Sequence, residues 1–211
     1  MTPVRREYEL FLIDKLNKYL AEVLAPYRLP KDTFVLAFSY ETLTTLEMKQ
    51  KMQDFINVLH FHGADLKPQT FYLAILKIVT TKTGTQDYLC LDCVPLKDKN
   101  LQVFFRNTLL GINKPSEQQM ICSNLLTVFG RLQTTYLINI FRKKDYVVTA
   151  HKTFLNAKES TLTTVLQLQE DVKISQSMLS WLYQNFGVKS VMGHQKIDGK
   201  MQVILRLTAN F

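Results

Sequence analysis

The chain has little of what staples a small secreted domain or marks a catalytic centre. Its 211 residues include only 3 cysteines, Cys90, Cys93 and Cys122, an odd number too small for a disulfide framework, so a reducing compartment is expected. Gly and Pro are sparse, at 7 and 6, and with no low-complexity tract this excludes long flexible linkers. No apolar run approaches the roughly 18 residues of a membrane span. The first residues, Met1-Thr-Pro-Val-Arg-Arg-Glu-Tyr-Glu, carry acids that neither a signal peptide nor a transit peptide favours. No membrane partner is expected, and the localisation implied is intracellular, either cytoplasm or organelle matrix, with an organelle-encoded origin open. Glycine-rich phosphate loops, Gly-x-Ser-x-Gly elbows and His-Glu-x-x-His pairs are all missing, which disfavours enzymes with local signatures.

What is present is a core and a positive charge. At 46% hydrophobic the chain has apolar material for one large domain or two lobes. Against 18 Asp and Glu stand 26 Lys and Arg, a formal charge of +8, which favours polyanionic partners. The excess is uneven: residues 67–211 hold 18 bases against 9 acids, whereas residues 32–66 hold Lys49 and Lys51 against Asp32, Glu41, Glu47, Asp54 and Asp65.

Periodicity predicts an amphipathic helix over residues 4–24, a strand at Phe34–Ser39 and a helix over Glu47–His60. Strands follow at Thr70–Thr80 and Asp87–Pro95 around Thr83-Gly84-Thr85, then a helix at Asp98–Leu110 closed by Gly111. A helix over Ser116–Gly130 leads into a strand at Thr135–Arg142, and Lys143-Lys144-Asp145 connects it to a strand at Tyr146–Phe154. Leu162, Thr164, Leu166 and Leu168 alternate with polar neighbours, as in a half-buried strand. A helix at Ile174–Phe186, stopped by Gly187, precedes a hairpin of Val188–His194 with Lys200–Thr208 around Asp198-Gly199. Thr70-Phe-Tyr-Leu-Ala-Ile-Leu-Lys77 and Thr135-Tyr-Leu-Ile-Asn-Ile-Phe-Arg142 read alike, which suggests a duplication. The fold expected is α+β: duplicated αββα-type units whose antiparallel sheets form a two-lobed, pseudo-symmetric saddle. Its parts are an N-terminal helix and strand extension (1–40) and two repeats (41–114 and 115–211).

The candidate binding residues are the bases and amides of the later strands and their connections. Lys200, Gln202 and Arg206 share a strand face with Ile204, and Arg142, Lys143, Lys144, Lys152, Lys189 and Lys196 extend the basic surface for phosphate contacts. Solvated outer strands with lysines guarding the sheet edges are the plainer explanation of the same pattern. Tyr136, Tyr146 and Phe154 are the aromatics interleaved with these bases. Cys90-Leu-Asp-Cys93 has half the spacing of a zinc knuckle, but positions three apart in a strand point to opposite faces. His60-Phe-His62 sits where a helix end favours histidine without any metal. No metal site is expected.

Three stretches, Leu162-Thr-Thr-Val-Leu-Gln-Leu-Gln169, Ile174-Ser-Gln-Ser-Met-Leu-Ser-Trp-Leu-Tyr-Gln-Asn-Phe-Gly187 and Val188-Lys-Ser-Val-Met192, resemble the strand, the helix ending in Phe-Gly-Val and the hairpin of the LAGLIDADG homing endonucleases and RNA maturases. A weaker copy lies at Leu96–Gly111, so the resemblance spans about residues 45–211. It implies paired sheets on a nucleic-acid duplex and two central helices, each ending in an acid that binds a divalent cation. In this chain the helix Leu125-Leu-Thr-Val-Phe-Gly-Arg-Leu-Gln133 offers Gln133 in that place, and Phe55–Asp65 offers Asp65. An amide lacks the charge that holds Mg²⁺, so these positions are vestigial and cleavage is expected to be lost.

The function expected is therefore non-catalytic nucleic-acid binding, to RNA or duplex DNA, as a splicing or ribosome-associated factor with no cofactor. A structural subunit making protein contacts through residues 4–66, as in a ribonucleoprotein, is the alternative. A Mg²⁺-dependent endonuclease comes third.

Overall fold

The computed structural model describes residues 2–43, 66–84, 86–156, 158–159, 161–169 and 172–210. The expected helix over Glu47–His60, His60-Phe-His62 and Asp65 lie outside them. The protein is α+β, with two antiparallel sheets in two compact units: Glu9–Leu125, and Thr2–Tyr8 with Leu126–Phe211.

In the first unit, helix α1 (Pro3–Leu24, entering the unit at Glu9) precedes β1 (Thr33–Ser39) and the short α2 (Tyr40–Leu43). Strands β2 (Phe71–Thr80) and β3 (Gln86–Pro95) complete a sheet of order β1-β2-β3. Phe71 through Leu76 are all buried, as a central strand covered on both faces requires. One face gathers Phe38, Leu66, Tyr72, Ala74, Leu76 and Cys90. Along the edge of β1 the Asn17 amide of α1 occupies the backbone of Ala37: the Ala37 N–H donates to Asn17 Oδ1 at 2.7 Å, and Asn17 Nδ2 donates to the Ala37 carbonyl at 3.0 Å. That contact blunts a sheet edge.

The register of β2 and β3 corrects one sequence expectation. Ile75 pairs with Asp92 but Leu76 with Cys90, so Leu91 is the extra residue of a β-bulge. Ala74 pairs with Cys93, and the bulge thus turns Cys90 and Cys93 to the same face, both against the Phe38–Tyr72 cluster. Downstream, the expected helix over Asp98–Leu110 is split. Helix α3 covers Asp98–Phe105, and a 3₁₀ turn, Thr108–Leu110, starts on Asn107, whose Oδ1 accepts from the Leu109 N–H, and ends on left-handed Gly111.

The largest correction concerns residues 115–143. They form one helix, α4 (Pro115–Lys143), and the strand expected at Thr135–Arg142 does not exist. Its supposed counterpart, Thr70–Lys77, does lie largely in a strand, β2, so these two segments are not structural copies. Buried positions recur every fourth residue along α4: Ile121 and Cys122, Leu125 and Leu126, Phe129, then Gln133 and Thr134, Leu137 and Ile138, and Phe141. That is a helical stripe. Gly130 does not end the helix but sits within the stripe.

The helix ends at a Schellman motif. The Tyr146 N–H donates to the Phe141 carbonyl and the Asp145 N–H to that of Arg142, with Asp145 left-handed at φ 62°. Tyr146 and Phe141 pack edge to face at 5.5 Å, the apolar contact that accompanies this cap.

In the second unit α4 (from Leu126) is followed by β4 (Val148–Asn156), β5 (Thr161–Leu168), α5 (Gln176–Phe186), β6 (Val188–Ile197) and β7 (Lys200–Asn210). The sheet order is β4-β5-β7-β6. Leu162, Thr164, Leu166 and Leu168 are buried as their alternation predicts. Asp198 and Gly199, at φ 51° and 82°, make the two-residue turn with both central residues left-handed that suits a hairpin's twist. Ser175 caps α5, accepting from the Met178 N–H, and Gly187 closes it at φ 65°.

Helix α4 is fastened to the inner face of this sheet. Thr134 Oγ1 lies 2.8 Å from both Thr153 Oγ1 and Thr164 Oγ1. One turn earlier, a Cβ on Gly130 would stand 2.7 Å from Leu162 Cδ1. Tyr8 closes the unit, its ring edge-on to Tyr136 and Phe186 at 5.2 and 5.1 Å.

Candidate nucleic-acid interface

Once α4 fixes Leu162, Thr164, Leu166 and Leu168 inward, alternation sends every intervening side chain to the other face of the sheet. The pairing registers then place residues from all four strands in rungs. Phe154, Thr163, Thr208 and Lys189 form one outer rung, Lys152, Val165, Arg206 and Val191 the next, and Ala150, Gln167, Ile204 and Gly193 a third. Gln202 and Gln195 follow beyond. These positions are exposed or half-buried, whereas Val203, Leu205, Leu207 and Ala209 on the inner face are buried.

The four strands are charged in one sense only. Across β4, β5, β6 and β7 the bases are Lys152, Lys189, Lys196, Lys200 and Arg206, and no Asp or Glu occurs in any of the four strands. Hydrogen bonds among the polar side chains hold this surface in order. Thr163 and Thr208 approach within 3.3 Å through their hydroxyls, and Gln167 Nε2 donates to Gln202 Oε1. Beside β6, the last strand in the sheet order, a shallow depression of about 440 Å³ is lined by Val191, Met192, Gly193, His194, Gln195, Ile204 and Arg206.

The structure brings together five of the residues singled out by sequence and separates the others. Lys152, Lys189, Gln202 and Arg206 lie on the outer face, and Lys200 shares its parity at the hairpin turn. Lys196 pairs with Met201 and has inner-face parity. Arg142 and Lys143 occupy the last turn of α4, where cations complement the helix dipole. The Lys144 ammonium sits over the Trp181 ring, 4.7 Å from its centroid, a cation–π contact that already occupies it.

Of the two vestigial positions, Asp65 lies outside the described residues. Gln133 lies inside α4, well before its end, and is buried, with Nε2 donating to the Tyr8 hydroxyl at 2.6 Å. Among the described residues its Oε1 finds no hydrogen-bond partner.

Sequence reasoning missed Val191, Gly193 and Gln195. The signal was available: a two-residue turn at Asp198-Gly199 sets Ile197 opposite Lys200, and counting back puts Val191 opposite Arg206.

Burial sets the chemistry of the other candidate pair. It pushes the Cys90 thiol up to about 11, against a hydrogen bond to the Asp92 carbonyl that lowers it, and Cys93 up to about 12, with Cys90 and then Asp92 adding to the rise. Such thiols stay protonated and poorly nucleophilic at neutral pH.

No family model matches the chain, and no curated protein or solved structure matches it either.

Proposed function

We propose that this chain is a non-catalytic nucleic-acid-binding protein whose ligand is RNA, in the role of a splicing or ribosome-associated factor. The observation that carries this reading is the outer face of the β4-β5-β7-β6 sheet, where Lys152, Lys189, Lys200 and Arg206 gather with Thr and Gln hydrogen-bonding groups on strands that contain no Asp or Glu. Lys and Arg neutralise phosphates, and hydroxyls and amides add directional contacts. The scaffold belongs to the same proposal. A degenerate LAGLIDADG lobe is supported by the order α4, β4, β5, α5, β6, β7, in which the strand, the helix ending in Phe-Gly-Val and the hairpin of that resemblance appear as β5, α5 and β6–β7. The saddle, with a pseudo-symmetric second lobe, extends it.

The test is an electrophoretic titration with labelled structured RNA and duplex DNA at two salt concentrations, with and without Mg²⁺. Binding that weakens with salt and leaves the RNA intact is expected. Arg206→Gln should reduce the slope of log K against log salt by about 0.7 to 0.9. Gly193→Val supplies a fold-neutral check, because a Cβ at Gly193 meets nothing within 4 Å. It should lower affinity at unchanged stability if a ligand approaches that depression closely. Failure to bind at low salt overturns the proposal in favour of a protein-assembly subunit using residues 4–66. Preference for duplex DNA overturns the choice of RNA. Mg²⁺-dependent cleavage abolished by Asp65→Ala would establish the endonuclease instead.

A further inference from the structure

Phe154 is 56% exposed and brings an aromatic ring to a surface of Lys, Arg, Thr and Gln side chains interspersed with Val165, Val191 and Ile204. It shares its outer rung with Thr163, Thr208 and Lys189, and Lys152 and Arg206 stand in the neighbouring rung. An exposed phenyl ring costs solvation and adds nothing to the inner core, which β4 reaches through its alternate residues. What it offers is a flat apolar surface flanked by cations. Unpaired bases present two π-faces that stack on such rings, whereas in a continuous duplex those faces are occupied by neighbouring bases.

Resting on the RNA-binding reading above, we infer that the ligand engages this sheet through an unpaired segment, with one base stacked on Phe154 and the adjoining phosphates held by Lys152, Lys189 and Arg206. The segment crosses the strands from β4 towards β6, a span of about 14 Å at the usual strand spacing. Val191 and the depression around Gly193 lie on the β6 side of that path. Stacking tolerates any base, so the preference is for single-stranded character and not for sequence.

The experiment is fluorescence anisotropy with a short single-stranded RNA of mixed sequence and with its blunt-ended duplex. It compares the full chain with Phe154→Ala, Phe154→Leu and Phe154→Trp, each checked by thermal unfolding. Phe154→Ala and Phe154→Leu should weaken single-strand binding by about 5- to 150-fold, the range that follows from loss of one stacked base. Phe154→Trp should retain it, and duplex affinity should stay unchanged in all three. Leucine keeps an apolar side chain but has no ring, so its failure to substitute separates stacking from simple apolar cover. Unchanged single-strand affinity in Phe154→Ala overturns this inference, as does equal loss for single strand and duplex. In either case the RNA-binding reading stands if Arg206→Gln still lowers affinity and salt slope. Absence of binding by the unaltered chain to both RNAs overturns both.

Discussion

Replacing Gly130 by Ala sets two well-measured effects against each other. In a helix interior Ala is favoured over Gly by about 0.8 to 1 kcal/mol, so a glycine that merely weakens α4 would make the substitution stabilising. In this fold the added Cβ lands 2.7 Å from Leu162 Cδ1, with Leu162 Cδ2 and Cγ at 3.6 and 3.7 Å. Carbon atoms at their optimum stand about 3.5 to 4.0 Å apart, so Leu162 must retreat by nearly 1 Å. It has little room, being 3% exposed on the inner face. Overpacking of this kind costs about 1 to 3 kcal/mol, and subtracting the propensity gain leaves a net destabilisation of up to about 2 kcal/mol. The single tryptophan, Trp181, lies on α5 in the same unit, so urea unfolding followed by its fluorescence reports on this packing directly. With a urea slope of about 2 kcal/mol per molar, a 1 kcal/mol loss lowers the midpoint by about 0.5 M. Adding Leu162→Val to Gly130→Ala removes one methylene at the contact and should recover part of the loss, appearing as a favourable coupling of about 0.5 kcal/mol or more. A midpoint that rises in Gly130→Ala alone would refute the close-approach account.

Asp145→Gly should stabilise the same unit by up to about 1 kcal/mol, because glycine adopts φ 62° without a Cβ penalty and a negative charge leaves the carboxyl end of α4. Thermal unfolding checks it, and a lowered midpoint would count against the Schellman assignment. Cys90, with its thiol pushed to about 11, should be ionised on the order of one part in a thousand at pH 8, and Cys93 less. Alkylation of both by iodoacetamide at that pH, read by mass spectrometry, should be far slower in the folded chain than in urea, and equal rates would refute the burial of Cys90 and the half-burial of Cys93. Raised thiol values favour the neutral form, so their contribution to stability is fully present below about pH 9. It is lost as pH rises from about 9 towards 12, which denaturant unfolding across that range would detect.

The sequence made most of the second unit legible and hid its central helix. β5, β7 and the hairpin turn follow from alternation and from Asp198-Gly199, and their inner faces are buried as that pattern requires. Residues 135–141 mislead because Thr, Tyr, Ile and Phe suit a strand, and because the apolar rhythm of α4 breaks at Gly130 and at Gln133 and Thr134. Those breaks have tertiary causes. Gly130 admits Leu162, Gln133 reaches Tyr8, and Thr134 bonds Thr153 and Thr164, none of which local pattern reveals. The end of α4 was hidden in the same way, since Asp145 takes the left-handed position where glycine is the usual signal. In the first unit the one-residue bulge at Leu91 reversed the side on which Cys93 was expected. For the candidate interface, alternation correctly aligned Gln202 and Arg206, but only the register across strands showed that Lys152 and Lys189 join them and that Lys196 does not.

The polar middle of α4 bears on the candidate interface as well as on stability. Because side chains alternate along a strand, a slip of one residue in β4 or β5 would exchange the two faces of that strand. Thr134 opposes such a slip at one point: its hydroxyl meets Thr153 on β4 and Thr164 on β5, both buried or half-buried inner positions. With those two turned inward, Lys152 and Val165 must face outward, and pairing across β7 carries Arg206 to the same side. The reverse arrangement would bring Lys152 and Arg206 against α4 without a carboxylate in any of the four strands to pair them. Unpaired buried charges are among the largest penalties a fold can carry, whereas the three-threonine contact is satisfied within the core. The bases therefore also act against misregister: the lack of acids in the four strands makes burial of the outer face prohibitive.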